Sequence, residues 1–237
     1  MAESPGVAPD LAVTSNPYYP IGSSIAGWTP NESSVFTLLG AFSGASVVLF
    51  SSTFILAKRI QPTLTRGELL TTMWFVLSGT VHILFEGYFI SNFSELASQQ
   101  TIIAQMWKEY AFSDSRYLTS NGLVFCLETI TVFVWGPMCL LVAAFIVMRS
   151  PWRHPLQIIV SLAHLYGDTL YYATSFFDEA VHGISYSRPE AFYFWFYFIF
   201  MNSLWIIIPA ALILQSSWTA ATAIAAATKR VESKKSQ

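Results

Sequence analysis

The sequence predicts an all-α membrane protein, a bundle of five transmembrane helices with a lumenal interfacial segment between the second and the third. Three observations carry this. Of the 237 residues 54% are hydrophobic and only 11% charged, against roughly 25% charged in an average soluble domain. Five stretches reach the roughly 20 largely apolar residues that a helical span requires. The basic residues gather in alternate connections, as they do when loops sort by the positive-inside rule.

Residues 1–34 are rich in Pro, Ser and Gly and lack a basic start followed by an apolar run, so no cleavable signal peptide is expected. They are read as a poorly ordered lumenal segment. The spans follow at Val35–Ala57, Leu70–Phe93, Gly122–Met148, Leu156–Phe176 and Ala191–Ser217. Together, residues 35–217 form one membrane domain, with 218–237 as a cytoplasmic tail. Lys58, Arg59 and Arg66 fill the first connection, Arg149 and Arg153 the third, and Lys229, Arg230, Lys234 and Lys235 the tail. The other two connections share only Lys108, Arg116 and Arg188, and no Lys or Arg precedes the first span. The N-terminus is therefore expected in the lumen and the C-terminus in the cytoplasm. Without an internal repeat, an inverted-repeat transporter is disfavoured.

Between the second and third spans, Gln105-Met-Trp-Lys-Glu-Tyr110 mixes aromatic and charged residues at helical spacing, as an interfacial helix does. It is read as a lid over one mouth of the bundle. Asn31-Glu-Ser33 and Asn92-Phe-Ser94 match the glycosylation acceptor pattern close to a membrane edge. Lys234 and Lys235, fourth and third from the end, resemble a dilysine retrieval signal or serve as an ordinary basic tail. Nothing concentrates enough positive charge to suggest nucleic acid. Cys126 and Cys139 lie along one helix, too far apart to bridge each other, and their spacing is not that of a metal motif.

Ionisable groups inside spans are expensive and are functional candidates by default. His82 and Glu86 stand four apart in Val81-His-Ile-Leu-Phe-Glu-Gly87, on one helical face. Glu128 is followed on its helix by Thr131 and Trp135, His164 stands four before Asp168, and Asn202 lies one turn before Trp205. A single intramembrane Asn or His usually bonds a neighbouring helix, and an aromatic stripe is mostly packing. Two carboxyls in hydrocarbon are harder to explain so, because no Lys or Arg lies near them within any span. An aromatic cavity with two acids, an imidazole and no metal set or nucleotide loop suits an apolar guest that becomes a cation: a carboxylate and an indole face both stabilise positive charge. Protonating an alkene and removing a different proton would shift a double bond with no cofactor.

His82-Ile-Leu-Phe-Glu-Gly-Tyr-Phe89, Trp107-Lys-Glu-Tyr-Ala111 with Asp114-Ser-Arg-Tyr117, Glu128-Thr-Ile-Thr131 with Trp135-Gly-Pro137, Tyr166-Gly-Asp168, and Tyr193-Phe-Trp-Phe-Tyr-Phe198 with Met201-Asn202 and Leu204-Trp205 resemble the emopamil-binding protein family, the 3β-hydroxysteroid Δ8–Δ7 isomerases with an EXPERA domain. The resemblance runs in order from about Val35 to Leu214. It implies isomerisation of a Δ8 sterol such as zymosterol in the endoplasmic-reticulum membrane, without a cofactor, by protonation at C9, a cation at C8 and loss of a C7 proton. By the same resemblance His82 and Glu86 form the proton-transfer pair and Glu128 faces the cation. Thr131, Trp135, Asn202 and Trp205 line the pocket, and Tyr110, Asp114, Arg116 and Tyr117 close or brace it. Spacing does not assign donor and acceptor; His82–Glu86 is the favoured shuttle. At His164 the chain departs from the family's vertebrate pattern, and that residue receives no catalytic role. Cationic amphiphilic amines are the implied inhibitors and a homodimer the implied assembly. The rival is a non-catalytic sterol or amphiphile binder of the same superfamily.

Overall fold

Long apolar runs with few interruptions leave helices as the way to satisfy backbone polar groups in lipid, and the computed structural model, which describes residues 16–236, contains no strand among them. Among the described residues four helices are long and apolar enough to cross a membrane: α1 (Val35–Ile60), α2 (Arg66–Ser91), α4 (Gly122–Val147) and α6 (Phe192–Lys235). A short helix, α3 (Ile102–Tyr110), lies between α2 and α4. The remaining long helix, α5 (Arg153–Phe177), carries Gln157, His164 and Asp168 and is not among those four.

Local chemistry sets several boundaries. The expected start of α2 at Leu70 moves back to Arg66 because Thr65 and Glu68 make a reciprocal capping box. Here Glu68 N–H donates to Thr65 Oγ1 (3.2 Å) and Thr65 N–H to Glu68 Oε2 (2.9 Å). Thr101 caps α3 and Asn121 caps α4 from one side only, their side chains accepting from the Ala104 and Val124 N–H groups. The tail beyond Ser217 continues α6 as helix to Lys235: its Ala220, Ala221, Ala223 and Ala225–Ala227, followed by Lys229, Arg230 and Glu232, are strong helix formers.

α2 and α4 approach closely because both present glycine. A Cβ at Gly79 would lie 2.9 Å from Leu140 Cδ2 and 3.0 Å from the Gly136 carbonyl, and one at Gly136 would lie 2.7 Å from Ile83 Cγ1. Such small-residue seams let backbones meet. Next to the seam both helices widen into π-helical turns, Val81–Glu86 in α2 and Thr131–Trp135 in α4. The second precedes Pro137, which has no N–H for an α-helical bond. α5 packs along α6 and is tied to it at both ends. His154 Nδ1 and Ser216 Oγ are 3.1 Å apart, and Tyr172 OH donates to the Ile199 carbonyl at 2.6 Å. At the end where α1 meets α2, Glu68 accepts from Arg153 (3.1 Å) and Arg149 (3.3 Å).

At the opposite end, residues 92–121 form a cap, and residues 16–34 lie against it. That stretch has little regular structure yet is not loose: Tyr18 is buried, stacks on Phe112 at 4.7 Å and donates to the Lys108 carbonyl at 2.9 Å. Lys108, expected at an interface, is itself buried, its ammonium donating to the Thr29 carbonyl at 3.0 Å. Asn31 Nδ2 donates to the Gln105 carbonyl at 2.9 Å. The earlier part of the N-terminal segment, residues 1–15, and residue 237 lie outside the described residues.

Candidate active site

Under the cap, between the two packed clusters of the bundle, lies a cavity of about 570 Å³ lined by parts of α1 to α6. That is within the range of ligand pockets, roughly 300–1,000 Å³. Phe42, Phe85, Trp107, Tyr171 and Trp205 make much of its wall, and the wall interrupts this apolar surface with one connected line of polar atoms.

The line begins at the cap. Tyr117, on the tight turn Ser115–Tyr117, donates to Glu128 Oε1 at 2.6 Å. Burial, and then the neighbouring Glu128, hold its phenol well above the ordinary range, so it remains a donor. The Thr131 hydroxyl sits between the two acids, bonded to Glu86 Oε2 and 3.3 Å from Glu128 Oε2. Glu86 in turn grips the imidazole of His82, whose Nδ1 lies 2.7 Å from Oε1 and 2.8 Å from Oε2. The far nitrogen, His82 Nε2, faces His164 Nε2 at 3.1 Å. The π-turns produce this geometry. His82 and Glu86 both fall in the π-turn of α2, and Thr131 opens that of α4 directly opposite; such turns recur at functional sites because they re-aim side chains within a helix.

A second polar group hangs from α6. Asn202 accepts from Tyr110 OH at 3.1 Å and donates to the Phe198 carbonyl at 2.8 Å. Burial raises the Tyr110 phenol above its ordinary range, which keeps it a donor as well. Trp205 lies one turn on, packed against Trp74 with centroids 5.2 Å apart. Among the described residues, Asp168 Oδ2, Tyr171 OH, Tyr197 OH and Trp205 Nε1 have no protein partner, and all four residues line the cavity. Buried polar atoms are normally satisfied, so these are available to the polar groups of a guest.

His82, Glu86, Tyr110, Tyr117, Glu128, Thr131, Trp135, Asn202 and Trp205 are thus brought to one cavity. Asp114 and Arg116 are not among its lining residues. They form a buried ion pair (2.6 Å) behind the wall, and Arg116 donates onward to Thr174 Oγ1 (2.9 Å) and the Tyr171 carbonyl (3.1 Å). The guanidinium packs over the Tyr171 ring at 4.6 Å. Burial would lower Arg116, but Asp114 outweighs it and raises it above its usual value; the pair fixes the cap to α5. His164, to which the sequence assigns no catalytic role, also borders the cavity. Its four-residue spacing to Asp168 was visible, but not that it would meet His82 from another helix.

Comparison with known proteins now adds to this geometry. The profile described as EXPERA, the expanded EBP superfamily, matches residues 102–216. The chain is 34% identical over 202 residues to the 3-beta-hydroxysteroid-Delta(8),Delta(7)-isomerase of Rattus norvegicus, covering 85% of this chain and 86% of that protein. The chain belongs to the EXPERA superfamily. Another EXPERA relative, the isomerase of the same name from Cavia porcellus, is 36% identical over 205 residues, or 85% of this chain and 87% of that one. A plant relative, isomeliandiol synthase of Ailanthus altissima, is 34% identical over 199 residues, 83% of this chain and 88% of that one. Most of the EXPERA match falls on α3 to α6, whereas His82 and Glu86 lie upstream of it, within the longer alignments to full-length isomerases.

Proposed function

We propose that this protein is a sterol Δ8–Δ7 isomerase of sterol biosynthesis, working without a cofactor on a substrate held in the cavity beneath the cap. The observation that carries the reading is the unbroken polar line Tyr117–Glu128–Thr131–Glu86–His82 crossing an otherwise apolar, aromatic chamber, in a chain related over most of its length to proteins named for this reaction.

The catalytic work falls to His82, Glu86 and Glu128. The His82–Glu86 couple moves the proton: it protonates C9 of the Δ8 alkene, the cation forms at C8, and a C7 proton is lost to restore neutrality at Δ7. Donor and acceptor are coupled through one imidazole, so the proton given at C9 and the one taken at C7 leave the enzyme unchanged. Glu128, oriented by Tyr117 and Thr131, faces the cation, and a preoriented carboxylate in a water-poor site stabilises such charge strongly. Trp205 and Trp135 offer ring faces to it. Asn202 with Tyr110 polarises the opposite wall, and Asp114–Arg116 acts at one remove by holding the cap.

The same reading makes α5 a fifth span beside those four, with residues 35–217 the membrane domain. The cap is then lumenal and the tail cytoplasmic, in the endoplasmic-reticulum membrane where sterols are made. Support for that orientation is the basic connections, Lys58 to Arg66 and Arg149 to Arg153, which lie with the tail opposite the cap. A homodimer and inhibition by cationic amphiphilic amines belong to the same reading. The deciding experiment incubates purified protein with a Δ8 sterol such as zymosterol and analyses the product. Formation of the Δ7 isomer supports the assignment, and unchanged substrate in the presence of folded protein overturns it.

A further inference from the structure

At the cavity wall, three ligand-type atoms from three helices lie close to one another. His82 Nε2 and His164 Nε2 are 3.1 Å apart, Cys139 Sγ is 3.5 Å from His164 Nε2, and all three ligating atoms lie within 4.8 Å of one another. All three residues are buried. A tetrahedral zinc ion, with Zn–N bonds of about 2.0–2.1 Å and Zn–S of about 2.3 Å, spaces its ligand atoms roughly 3.3–3.8 Å apart. The His82–His164 and Cys139–His164 separations lie within a few tenths of an ångström of that spacing, and His82 Nε2 and Cys139 Sγ, at most 4.8 Å apart, draw together when an ion sits between them.

The surroundings suit an ion in three further ways. Glu86 holds His82 through Nδ1, the outer carboxylate that metal-binding histidines commonly use to fix the tautomer and turn the other nitrogen outward as a ligand. A thiolate at Cys139 and the carboxylate of Glu86 together match the two positive charges that would otherwise be stranded in an apolar interior. His82 and His164 both border the cavity, so a fourth coordination position opens onto it, as in three-ligand zinc sites that keep one place for water.

We propose that His82 Nε2, Cys139 Sγ and His164 Nε2 form a binding site for a zinc ion. Binding releases one proton, from the thiol, while the proton of His164 moves from Nε2 to Nδ1, which has no partner in the protein. Resting on the proposed function, a consequence follows: a filled site occupies the nitrogen of His82 that faces away from Glu86, so zinc switches proton transfer off reversibly.

The test loads purified full-length protein in detergent with Co²⁺ as a spectroscopic substitute. The expected result is one cobalt per chain with a thiolate-to-metal charge-transfer band and tetrahedral d–d bands, displaced by Zn²⁺. Cys139→Ser should abolish the charge-transfer band, His164→Gln should weaken binding at least tenfold, and Cys126→Ser should leave both unchanged. No thiolate band, or a band that survives Cys139→Ser or disappears with Cys126→Ser, overturns the site. In turnover assays zinc should inhibit the parent protein, a chelator should restore it, and Cys139→Ser should remain active and at least tenfold less sensitive. Activity in that variant also shows that it has folded. A cobalt site with the stated signature but full turnover when zinc-loaded would support the site and overturn the role given to His82, which separates the two claims.

Discussion

The seam between α2 and α4 offers a perturbation that moves the site without touching any of its polar groups, Gly136→Ala. The new methyl would stand 2.7 Å from Ile83 Cγ1 and 3.1 Å from His82 Cβ, where carbon atoms prefer separations of about 3.5–4.0 Å. With Ile83 in its present rotamer, relief takes α2 back by about 1 Å at the turn that carries His82, away from the turn that carries Thr131. A displacement of about 1 Å between reacting groups costs on the order of 10²-fold in rate, or about 2.7 kcal/mol of barrier. Overpacking costs about 1–3 kcal/mol of stability, and the better helix propensity of Ala returns about 1 kcal/mol, so most of the protein should remain folded. The assay is turnover of a Δ8 sterol per folded molecule, with folded protein measured by thermal unfolding in the same detergent. Gly44→Ala in α1, where an added Cβ meets nothing within 4 Å, is the control and should keep full turnover. Parent-like turnover in Gly136→Ala, or a loss that merely follows the unfolded fraction, would refute the argument that this contact sets the distance between His82 and Thr131.

Glu128→Gln should lower turnover by on the order of 10²–10³-fold, the effect of losing one preoriented electrostatic stabiliser, with an unchanged melting profile; near-normal turnover would remove Glu128 from the mechanism. Tertiary amines on an apolar frame should inhibit better when protonated than their uncharged isosteres, because they imitate the cation, and equal inhibition by both would contradict a cationic transition state. Isomerisation in deuterated water should place deuterium at C9, and its absence from the product would exclude protonation there. Finally, Tyr18, Tyr110 and Tyr117 are raised above the ordinary phenol range by burial. The stability they contribute is therefore complete below about pH 10, the unfolded value, and is lost as pH rises beyond it. Tyrosinate absorbance should accordingly leave part of the tyrosine signal silent until near-UV circular dichroism collapses; complete titration around pH 10 with the fold intact would rule this out.

The membrane class and the site differ in how well they could be read from sequence, for physical reasons that particular residues make plain. Span length and apolarity are sums over many residues, so α1, α2, α4 and α6 were legible even though Thr65–Glu68 moved the start of α2 from Leu70 to Arg66 and the alanine-rich tail carried α6 on from Ser217 to Lys235. The pairing of His82 with Glu86 was legible too, because it depends on one helical repeat. Contacts between helices were not. No one-dimensional pattern says that Thr131 reaches Glu86, that Tyr117 reaches Glu128, or that His164 meets His82, since each depends on helix rotation and on two π-turns that break the regular period.

Asp114 and Arg116, expected to close or brace the pocket, lie behind its wall rather than in its lining. A motif that carries charge invites assignment to the ligand, but these two groups neutralise each other behind the wall. Breaking such a buried pair from one side costs more than the pair contributes, because the abandoned charge has nowhere to go. Arg116 also holds Thr174 and the Tyr171 carbonyl, so its removal would release the cap from α5 and leave the polar line in the cavity without a rigid lid. The charge nearest the motif is therefore structural, while the reaction is assigned to carboxyls that adjacent hydroxyls keep in register: Glu128 by Tyr117, and Glu86 by Thr131. Glu128 is held by the hydroxyls of Tyr117 and Thr131, which orient it without setting a fixed cation against it, and a host for a transient cation needs such an arrangement.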